Sequence, residues 1–286
     1  MSKALVLSGG GPLAVAWECG VLSGLAHSGL ALSDADFILG TSAGAIVGAQ
    51  IASGGDPQMM AKAIMAEAEN APGLSAGFSN PPEAIANLPA LFAKSQSGDS
   101  GRIEVGAYAL AASTADSPRA YIERMSSIIG LDAWPEKMGV VVVDTADGKA
   151  RVLRHDCGAK IGTGVAASCC LPGLHPPVFI AGRHYMDGGM RSAANVDLVG
   201  QFDVILVLSF NPPGPVGQRM ISRLTTQAEQ LTALGTNVLV INPDETCLES
   251  IGLNTMDFGR RPEVLKRAIT QATEIADRVA NFWHSQ

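Results

Sequence analysis

Three short segments of this chain place residues in patterns that could support nucleophilic chemistry. The first, Gly40-Thr41-Ser42-Ala43-Gly44, has the G-x-S-x-G spacing of a nucleophile elbow, in which a serine projects from a sharp strand-to-helix turn. The helix beneath such a serine favours negative charge that develops nearby. The pentapeptide alone is a weak signal, but an apolar strand is predicted before it and an apolar helix after it. That context favours a nucleophilic Ser42 over a structural turn.

The second segment, Ser8-Gly9-Gly10-Gly11-Pro12, is a glycine-rich turn between a predicted strand and a predicted helix. Its bare backbone N–H groups could bind a phosphate or stabilise an oxyanion. It is not a dinucleotide-binding fingerprint, because Ala14 stands where G-x-G-x-x-G requires its last glycine. It also lacks the Gly-Lys-Ser or Gly-Lys-Thr of a P-loop. From these residues alone, a simple glycine-rich connector is an equal alternative.

The third segment, Asp187-Gly188-Gly189, ends a predicted hairpin. Its glycines permit positive φ and could aim the carboxylate, although an Asp-Gly pair alone is more typical of a turn. An ordinary α/β-hydrolase orders its triad as Ser, then Asp or Glu, then His. Only His284 follows Asp187, close to the end of the sequence. His184 could complete a triad in principle, but its position favours a surface or hairpin histidine.

Taken in order, these segments resemble the patatin-like phospholipase family. Four anchors carry the resemblance: Ser8–Leu22 (SGGGPLAVAWECGVL), the GTSAG elbow, Ala166–Pro177 (AASCCLPGLHPP) and Tyr185–Gly189 (YMDGG). Each anchor is modest alone, whereas the ordered set is fairly specific and spans most of the chain. The resemblance implies a three-layer α/β/α fold with a mainly parallel central sheet, related to the catalytic domain of cytosolic phospholipase A2.

The resemblance also implies roles for individual residues. A Ser–Asp dyad would hydrolyse an acyl ester without a catalytic histidine, with Ser42 as the nucleophile and Asp187 as its general base. An unperturbed aspartate, with a pKa of about 3.9, is ionised at neutral pH, so no essential group should titrate near the usual histidine value. The resemblance further assigns the oxyanion hole to backbone N–H groups of Gly9, Gly10, Gly11 and Ala43. It assigns supporting roles in the motifs to Gly40, Gly44, Gly188 and Gly189.

One stretch departs from the family pattern. The family's glycine loop usually continues with Arg or Lys and then Gly, whereas this chain has Leu13 and Ala14. The loop therefore lacks a fixed positive charge beside the oxyanion, which bears on phosphate-containing substrates. Arg183 and Arg191 are the nearest cations to Asp187 in the sequence. Their closeness in sequence does not by itself show that either replaces the missing cation of the glycine loop.

Alternating strands and helices must position these residues. Apolar runs predict strands at Ala4–Leu7, Asp36–Leu39 and Val204–Ser209, and helical stretches follow the first two. This alternation indicates a parallel sheet covered by helices. Hairpins are predicted around Asp147-Gly148 and Ala181–Arg183.

Residues 1–286 are predicted to form one patatin-like acyl hydrolase domain, because no linker or internal repeat divides the chain. Segment 71–101 interrupts the pattern with Pro, Gly, Ser and Asn and only scattered apolar residues. We expect this segment to be mobile and lid-like, and to border the acyl pocket. The residues expected to face the substrate are Phe78, Leu88, Leu91 or Phe92.

Composition narrows the classes of function. Of 286 residues, 47% are hydrophobic and 16% charged, which excludes intrinsic disorder. A formal charge of −7 without a basic cluster argues against nucleic-acid partners and leaves at most a transient contact with a membrane surface. The longest uncharged stretches contain prolines or several glycines, so no membrane-spanning helix is predicted. Five cysteines without metal-ligand spacing predict reduced thiols in a cytoplasmic protein, with no metal and no cofactor.

The leading hypothesis is a serine acyl hydrolase acting on carboxylic esters of lipid-like substrates, of the phospholipase, lysophospholipase or esterase type. One alternative is an acyltransferase, which uses the same acyl-enzyme with a different acceptor. Another is a non-catalytic regulatory protein that binds an acyl group or an anion on the same fold. The sequence carries no signal for an oligomeric state. Leu13 and Ala14 favour the non-catalytic alternative, whereas Ser42 and Asp187 oppose it.

Overall fold

A mixed eight-stranded sheet forms the centre of the fold in a computed structural model that describes residues 1–70 and 82–284. Its spatial order is β5-β6-β3-β2-β1-β7-β8, with β4 paired to β3. The strands β3, β2, β1, β7 and β8 run parallel, whereas β4, β5 and β6 enter antiparallel pairs. The strands are β1 Lys3–Leu7, β2 Phe37–Thr41, β3 Met138–Asp144, β4 Ala150–Leu153, β5 Val178–Ile180, β6 Arg183–Asp187, β7 Val204–Leu208 and β8 Asn237–Ile241.

Helices cover both faces of this sheet, as predicted. Alternate residues of the parallel strands point to opposite faces, so each of these apolar strands contributes to two cores. Leu5 and Ile38 lie in the larger core, which includes side chains of α1, α2, α7 and α10. Val6 and Val141 lie in the second core, together with Leu224 of α8. The helices are α1 Gly11–His27, α2 Ala43–Ala52, α3 Pro57–Asn70, α4 Pro82–Ser95, α5 Asp99–Ala111, α6 Pro118–Ile129, α7 Ile161–Cys169, α8 Pro215–Ala233, α9 Glu245–Ile251 and α10 Arg261–Trp283.

The pairing of β3 brings two distant parts of the chain together. On one edge β3 pairs antiparallel with β4, from Val140 to Val143. On the other edge it pairs first with β2, up to Thr41 opposite Val141. The antiparallel strand β6 then continues along this same edge, with Asp187 opposite Val142. Because β2 and β6 meet end to end, the residue after β2 and the last residue of β6 become neighbours.

Segment 71–101, in which the sequence shows no firm periodicity, is largely helical where the structure describes it. Residues 82–95 form α4, and α5 begins at Asp99. Pro89 inside α4 and Gly98 before α5 interrupt the apolar pattern without preventing the helices. Leu88 is buried, and Leu91 and Phe92 pack against the small core that contains Met186 and Met190.

The remainder of the lid prediction falls on residues 71–81, which include Phe78 and lie outside the described residues. Mobility and contact with an acyl chain therefore stay predictions for segment 71–101. Within residues 1–70 and 82–284, no helix is both long enough and apolar enough to cross a bilayer.

Candidate active site

Ser42 occupies a strained turn between β2 and α2. Its φ of 51° and ψ of −115° lie outside the regions that L-residues commonly adopt, as expected at a nucleophile elbow. Close packing explains the small neighbours: a Cβ on Gly44 would lie 2.2 Å from the Leu7 carbonyl oxygen, and one on Gly40 would lie 2.5 Å from the Gly44 carbonyl oxygen. The supporting roles predicted for these two glycines are steric.

Asp187 faces Ser42 across the junction of β2 and β6. The Ser42 hydroxyl donates a hydrogen bond of 2.8 Å to Oδ2 of Asp187, which lies 145 residues further along the chain. The other carboxylate oxygen, Oδ1, accepts the Gly189 N–H at 2.7 Å. Gly188 passes directly over β3, where a Cβ would lie 2.4 Å from the Val141 carbonyl oxygen. Gly189 thus holds the carboxylate through its N–H, and the small size of Gly188 lets the turn pass close to β3.

Burial changes the acid–base behaviour of Asp187. The side chain is fully buried, and removal from water raises its pKa from 3.8 to about 7, against the opposing effect of the Gly189 and Ser42 hydrogen bonds. The expectation of an unperturbed aspartate is therefore wrong. A group that titrates near neutrality is present at this site, and it is the carboxylate rather than a histidine.

Ser168, which the sequence analysis did not single out, supports the elbow from α7. Its hydroxyl oxygen accepts the Ser42 N–H at 2.8 Å and donates to the Val141 carbonyl at 2.6 Å. Ser168 is completely buried, and these two bonds tie the strained turn to β3. Burial keeps the pKa of the neighbouring Cys169 thiol well above the usual range, and the nearby Ser42 hydroxyl opposes that shift. Cys169 therefore lies beside Ser42 and Asp187 as well as against the larger core.

The glycine loop approaches the same point from β1. In residues 1–70 and 82–284, no acceptor pairs with the N–H groups of Gly10, Gly11 or Ala43, which leaves them available to a substrate oxygen. The Gly9 N–H instead donates to the Ala193 carbonyl at 2.9 Å. The prediction of Gly9 as an oxyanion donor is therefore corrected. Gly9 acts by its small size, because a Cβ there would lie 3.2 Å from the Ser42 Cβ.

Comparison with known proteins decides the family. A model of the family described as "Patatin-like phospholipase" matches residues 5–199, a range that contains the glycine loop, the elbow and the Asp-Gly-Gly turn. The chain belongs to the patatin-like phospholipase family. Membership places it among lipid hydrolases at the level of the family, and it confirms the predicted patatin fold. No curated protein matches the chain.

Two solved structures match the chain at low identity. VipD from Legionella pneumophila is 15% identical, with a TM-score of 0.53, and the match covers 97% of this chain and 67% of VipD. At this identity the likeness to VipD concerns the fold alone. The type III effector ExoU of Pseudomonas aeruginosa is 18% identical, with a TM-score of 0.43. That match covers 97% of this chain and 53% of ExoU, so the chain spans about half the length of ExoU.

The departure from the patatin pattern leaves the glycine loop without a cation. Leu13 and Ala14 are both completely buried in the larger core. Arg183 is not a substitute, because its guanidinium already pairs with Asp144 at 2.5 Å. A positive charge near the patatin site must therefore come from elsewhere in the fold.

The histidines take no part in the Ser42–Asp187 geometry. His184 is exposed and lies against the Phe179 ring on the β5–β6 hairpin. His175 is buried and stacked on Tyr121, and desolvation lowers its pKa to about 4. Neither makes the hydrogen bond to Ser42, which goes to Asp187. His284, at the end of α10, is exposed.

Proposed function

We propose that this protein is a serine acyl hydrolase that cleaves carboxylic esters of lipid-like substrates through a Ser42–Asp187 dyad. The observation that carries the proposal is the 2.8 Å hydrogen bond from the Ser42 hydroxyl to a fully buried carboxylate. Family membership supports a lipid ester as the substrate class. The cytoplasmic location expected from the cysteines stays a prediction.

In the proposed mechanism, ionised Asp187 accepts the Ser42 proton while Oγ attacks the ester carbonyl carbon. The carbonyl oxygen becomes a tetrahedral oxyanion, stabilised by the free N–H groups of Gly10, Gly11 and Ala43. Collapse of this intermediate breaks the bond to the alcohol, which leaves with the proton from Asp187. Water then gives a proton to Asp187 and attacks the acyl-Ser42 carbonyl. Collapse of this second intermediate breaks the bond to Ser42 Oγ and releases the carboxylic acid, and Asp187 returns its proton to Oγ.

A raised pKa makes Asp187 a stronger base than an exposed aspartate. General-base catalysis is most effective when the pKa of the base lies near the working pH, and burial supplies that shift without a histidine. The hydrogen bond of Gly189 to Oδ1 leaves Oδ2 facing Ser42. One carboxylate therefore combines the orientation and the basicity that a triad divides between two side chains.

Two alternatives follow from specific observations. Buried Leu13 in place of the family's cation favours a non-catalytic protein that binds an acyl group or an anion at the free N–H groups. An acyltransferase would use the same acyl-enzyme and pass the acyl group to an alcohol or amine instead of water. The intact Ser42–Asp187 pair favours catalysis over binding alone, and product analysis separates transfer from hydrolysis.

Ser42 is expected to be the only serine modified by a fluorophosphonate. The reagent forms a tetrahedral adduct on an activated serine, and Ser42 combines a nearby base with free oxyanion donors. Peptide mass spectrometry of the labelled protein provides the measurement. Ser42→Ala should abolish labelling, whereas exposed Ser222 on α8 should carry no adduct in either protein. Absence of an adduct on Ser42 in folded protein would support the non-catalytic alternative.

Hydrolysis is expected to decline as the pH falls through about 7, the pKa to which burial raises Asp187. The base must be ionised, so kcat should fall about tenfold for each pH unit below that value. The pH–rate profile is measured as the single-turnover rate of p-nitrophenol release from a p-nitrophenyl ester, followed by a signal that does not depend on pH. A rate that stays constant down to pH 5 would contradict Asp187 as the base.

A further inference from the structure

A short turn after Asp187 connects the carboxylate to the glycine loop and to the surface. This turn, residues 188–195, begins beside Ser42, and its Ala193 carbonyl accepts the Gly9 N–H. On its outer side, the Met190 carbonyl accepts a hydrogen bond of 3.1 Å from the Gln96 side chain. The outer side of the turn is thus connected to the catalytic carboxylate, since Met190 follows Asp187 by three residues in the chain.

Two arginines converge on this outer side. Arg191 belongs to the turn and binds both oxygens of Asp197, as well as the side chain of Asn195 at 3.0 Å. Arg223, from the first half of α8, donates to the side-chain oxygen of the same Gln96 that contacts Met190. The two guanidinium groups come from different elements, and hydrogen-bonded amides hold them in place.

This cluster keeps an uncompensated positive charge. Asp197 forms an ion pair with Arg191, whereas in the described ranges 1–70 and 82–284 no carboxylate forms one with Arg223. Partial burial lowers the pKa of Arg223, and the like charge of Arg191 lowers it further. The like charges of Arg191 and Arg223 repel each other, and a bound anion would relieve that repulsion.

We propose that Arg223, together with Arg191, binds the phosphate of a phospholipid or lysophospholipid substrate. The proposal rests on the proposed function, and it deepens that function by naming the substrate's head group. A guanidinium group matches the geometry of phosphate oxygens with two parallel N–H donors. The cluster also carries positive charge beside the turn that follows Asp187, whereas the glycine loop, with buried Leu13 in place of a cation, carries none.

Two other arginines, Arg183 and Arg102, already form ion pairs with carboxylates. Arg183 binds Asp144 and lies close to Asp147. Arg102 is buried, pairs with Asp99 and donates to the Gly148 carbonyl at 2.6 Å. Arg223 differs from both because its side-chain partner is an amide oxygen rather than a carboxylate. It is therefore the cation that can exchange its present contact for a phosphate.

Two soluble substrates with identical acyl chains test this proposal: dihexanoyl phosphatidic acid and dihexanoylglycerol, both below their aggregation limits. Arg223→Gln is expected to lower kcat/KM for the phosphate substrate by about tenfold or more, the scale of one charge-assisted hydrogen bond. Hydrolysis of the neutral substrate should change by less than about twofold. Arg223→Lys, which keeps the charge but loses the paired donors, should lie between Arg223→Gln and the wild type.

Arg219→Gln is the matched control, because Arg219 is exposed on the same helix one turn earlier. It removes the same net charge and should leave both substrates unaffected. Equal losses on both substrates with Arg223→Gln, or no loss on either, would overturn the proposal. A loss seen only with vesicles of the phosphate lipid would also overturn it, since that result assigns Arg223 to neighbouring head groups. Failure of the wild-type protein to hydrolyse either substrate would instead contradict the proposed function.

Discussion

Asp187→Asn is expected to reduce kcat by about 10² or more, while the protein stays folded. The amide has nearly the same shape and can still accept the Gly189 N–H, but it cannot take the Ser42 proton. KM should change little, because Asp187 is buried beneath the serine. Steady-state hydrolysis of a soluble ester measures the loss, and fluorophosphonate labelling of Ser42 should slow in parallel.

Stability measurements separate lost chemistry from lost structure in this variant. The pKa of Asp187 is raised in the folded protein, so the folded state holds the proton more tightly than the unfolded chain. Stability is therefore expected to fall as the pH rises from about 4 to about 7. Above pH 7 the ionised carboxylate costs about 4 kcal/mol, on the basis of 1.36 kcal/mol for each pKa unit. Asp187→Asn removes that cost, so its Tm at pH 8 should equal or exceed that of the wild type.

Histidine variants are the control for the dyad. His184→Ala and His175→Ala should each change kcat by less than about tenfold, because neither ring contacts Ser42 or Asp187. His175→Ala removes a buried ring that stacks on Tyr121, so its Tm should fall. A histidine variant as inactive as Asp187→Asn would point to a Ser–His–Asp arrangement instead.

Much of the architecture follows from local sequence signals. Apolar runs without charges marked β1, β2 and β7, and the G-x-S-x-G pattern located the tight turn at Ser42. These signals are local, because strand propensity and close packing of small residues act over a few positions. Helices α4 and α5 were not predicted, because Pro89 and Gly98 interrupt the apolar pattern of this segment. Tertiary packing compensates, since Leu91 and Phe92 of α4 contact the small core that contains Met186 and Met190.

The geometry of the candidate site depends on contacts that no local pattern contains. The end-to-end placement of β2 and β6 along β3 is a matter of register between segments more than 100 residues apart. The raised pKa of Asp187 follows from burial on all sides, and the loss of Gly9 as a donor follows from its contact with Ala193. Ser168 lies within the third anchor of the family resemblance, Ala166–Pro177, and that position was the available signal.

Gly10→Ala is expected to lower kcat by about 10² to 10³, the effect of losing an oxyanion-hole donor. The added Cβ would lie 2.3 Å from Cδ1 of Phe210 and 2.9 Å from the Ala14 Cβ. Phe210 cannot yield, because its ring is fully buried beside Trp17, whose indole N–H binds Gln271 at 3.0 Å. The loop must therefore move, and it carries the free N–H groups of Gly10 and Gly11 away from the substrate oxygen.

Gly139→Ala is the matched control for this last variant, because it creates the same kind of overlap away from the site. Gly139 lies on β3, and its added Cβ would lie 2.6 Å from Cζ of Phe37 on β2. Both variants overpack a core and should lose about 1 to 3 kcal/mol of stability, but only Gly10→Ala should lose activity out of proportion to its Tm. Adding Phe210→Leu to Gly10→Ala makes room for the new Cβ. If the double variant regains part of kcat, displacement of the loop caused the loss. If Gly10→Ala and Gly139→Ala kept the same kcat, the oxyanion donors would have to lie outside the glycine loop, with Ala43 as the remaining N–H beside Ser42.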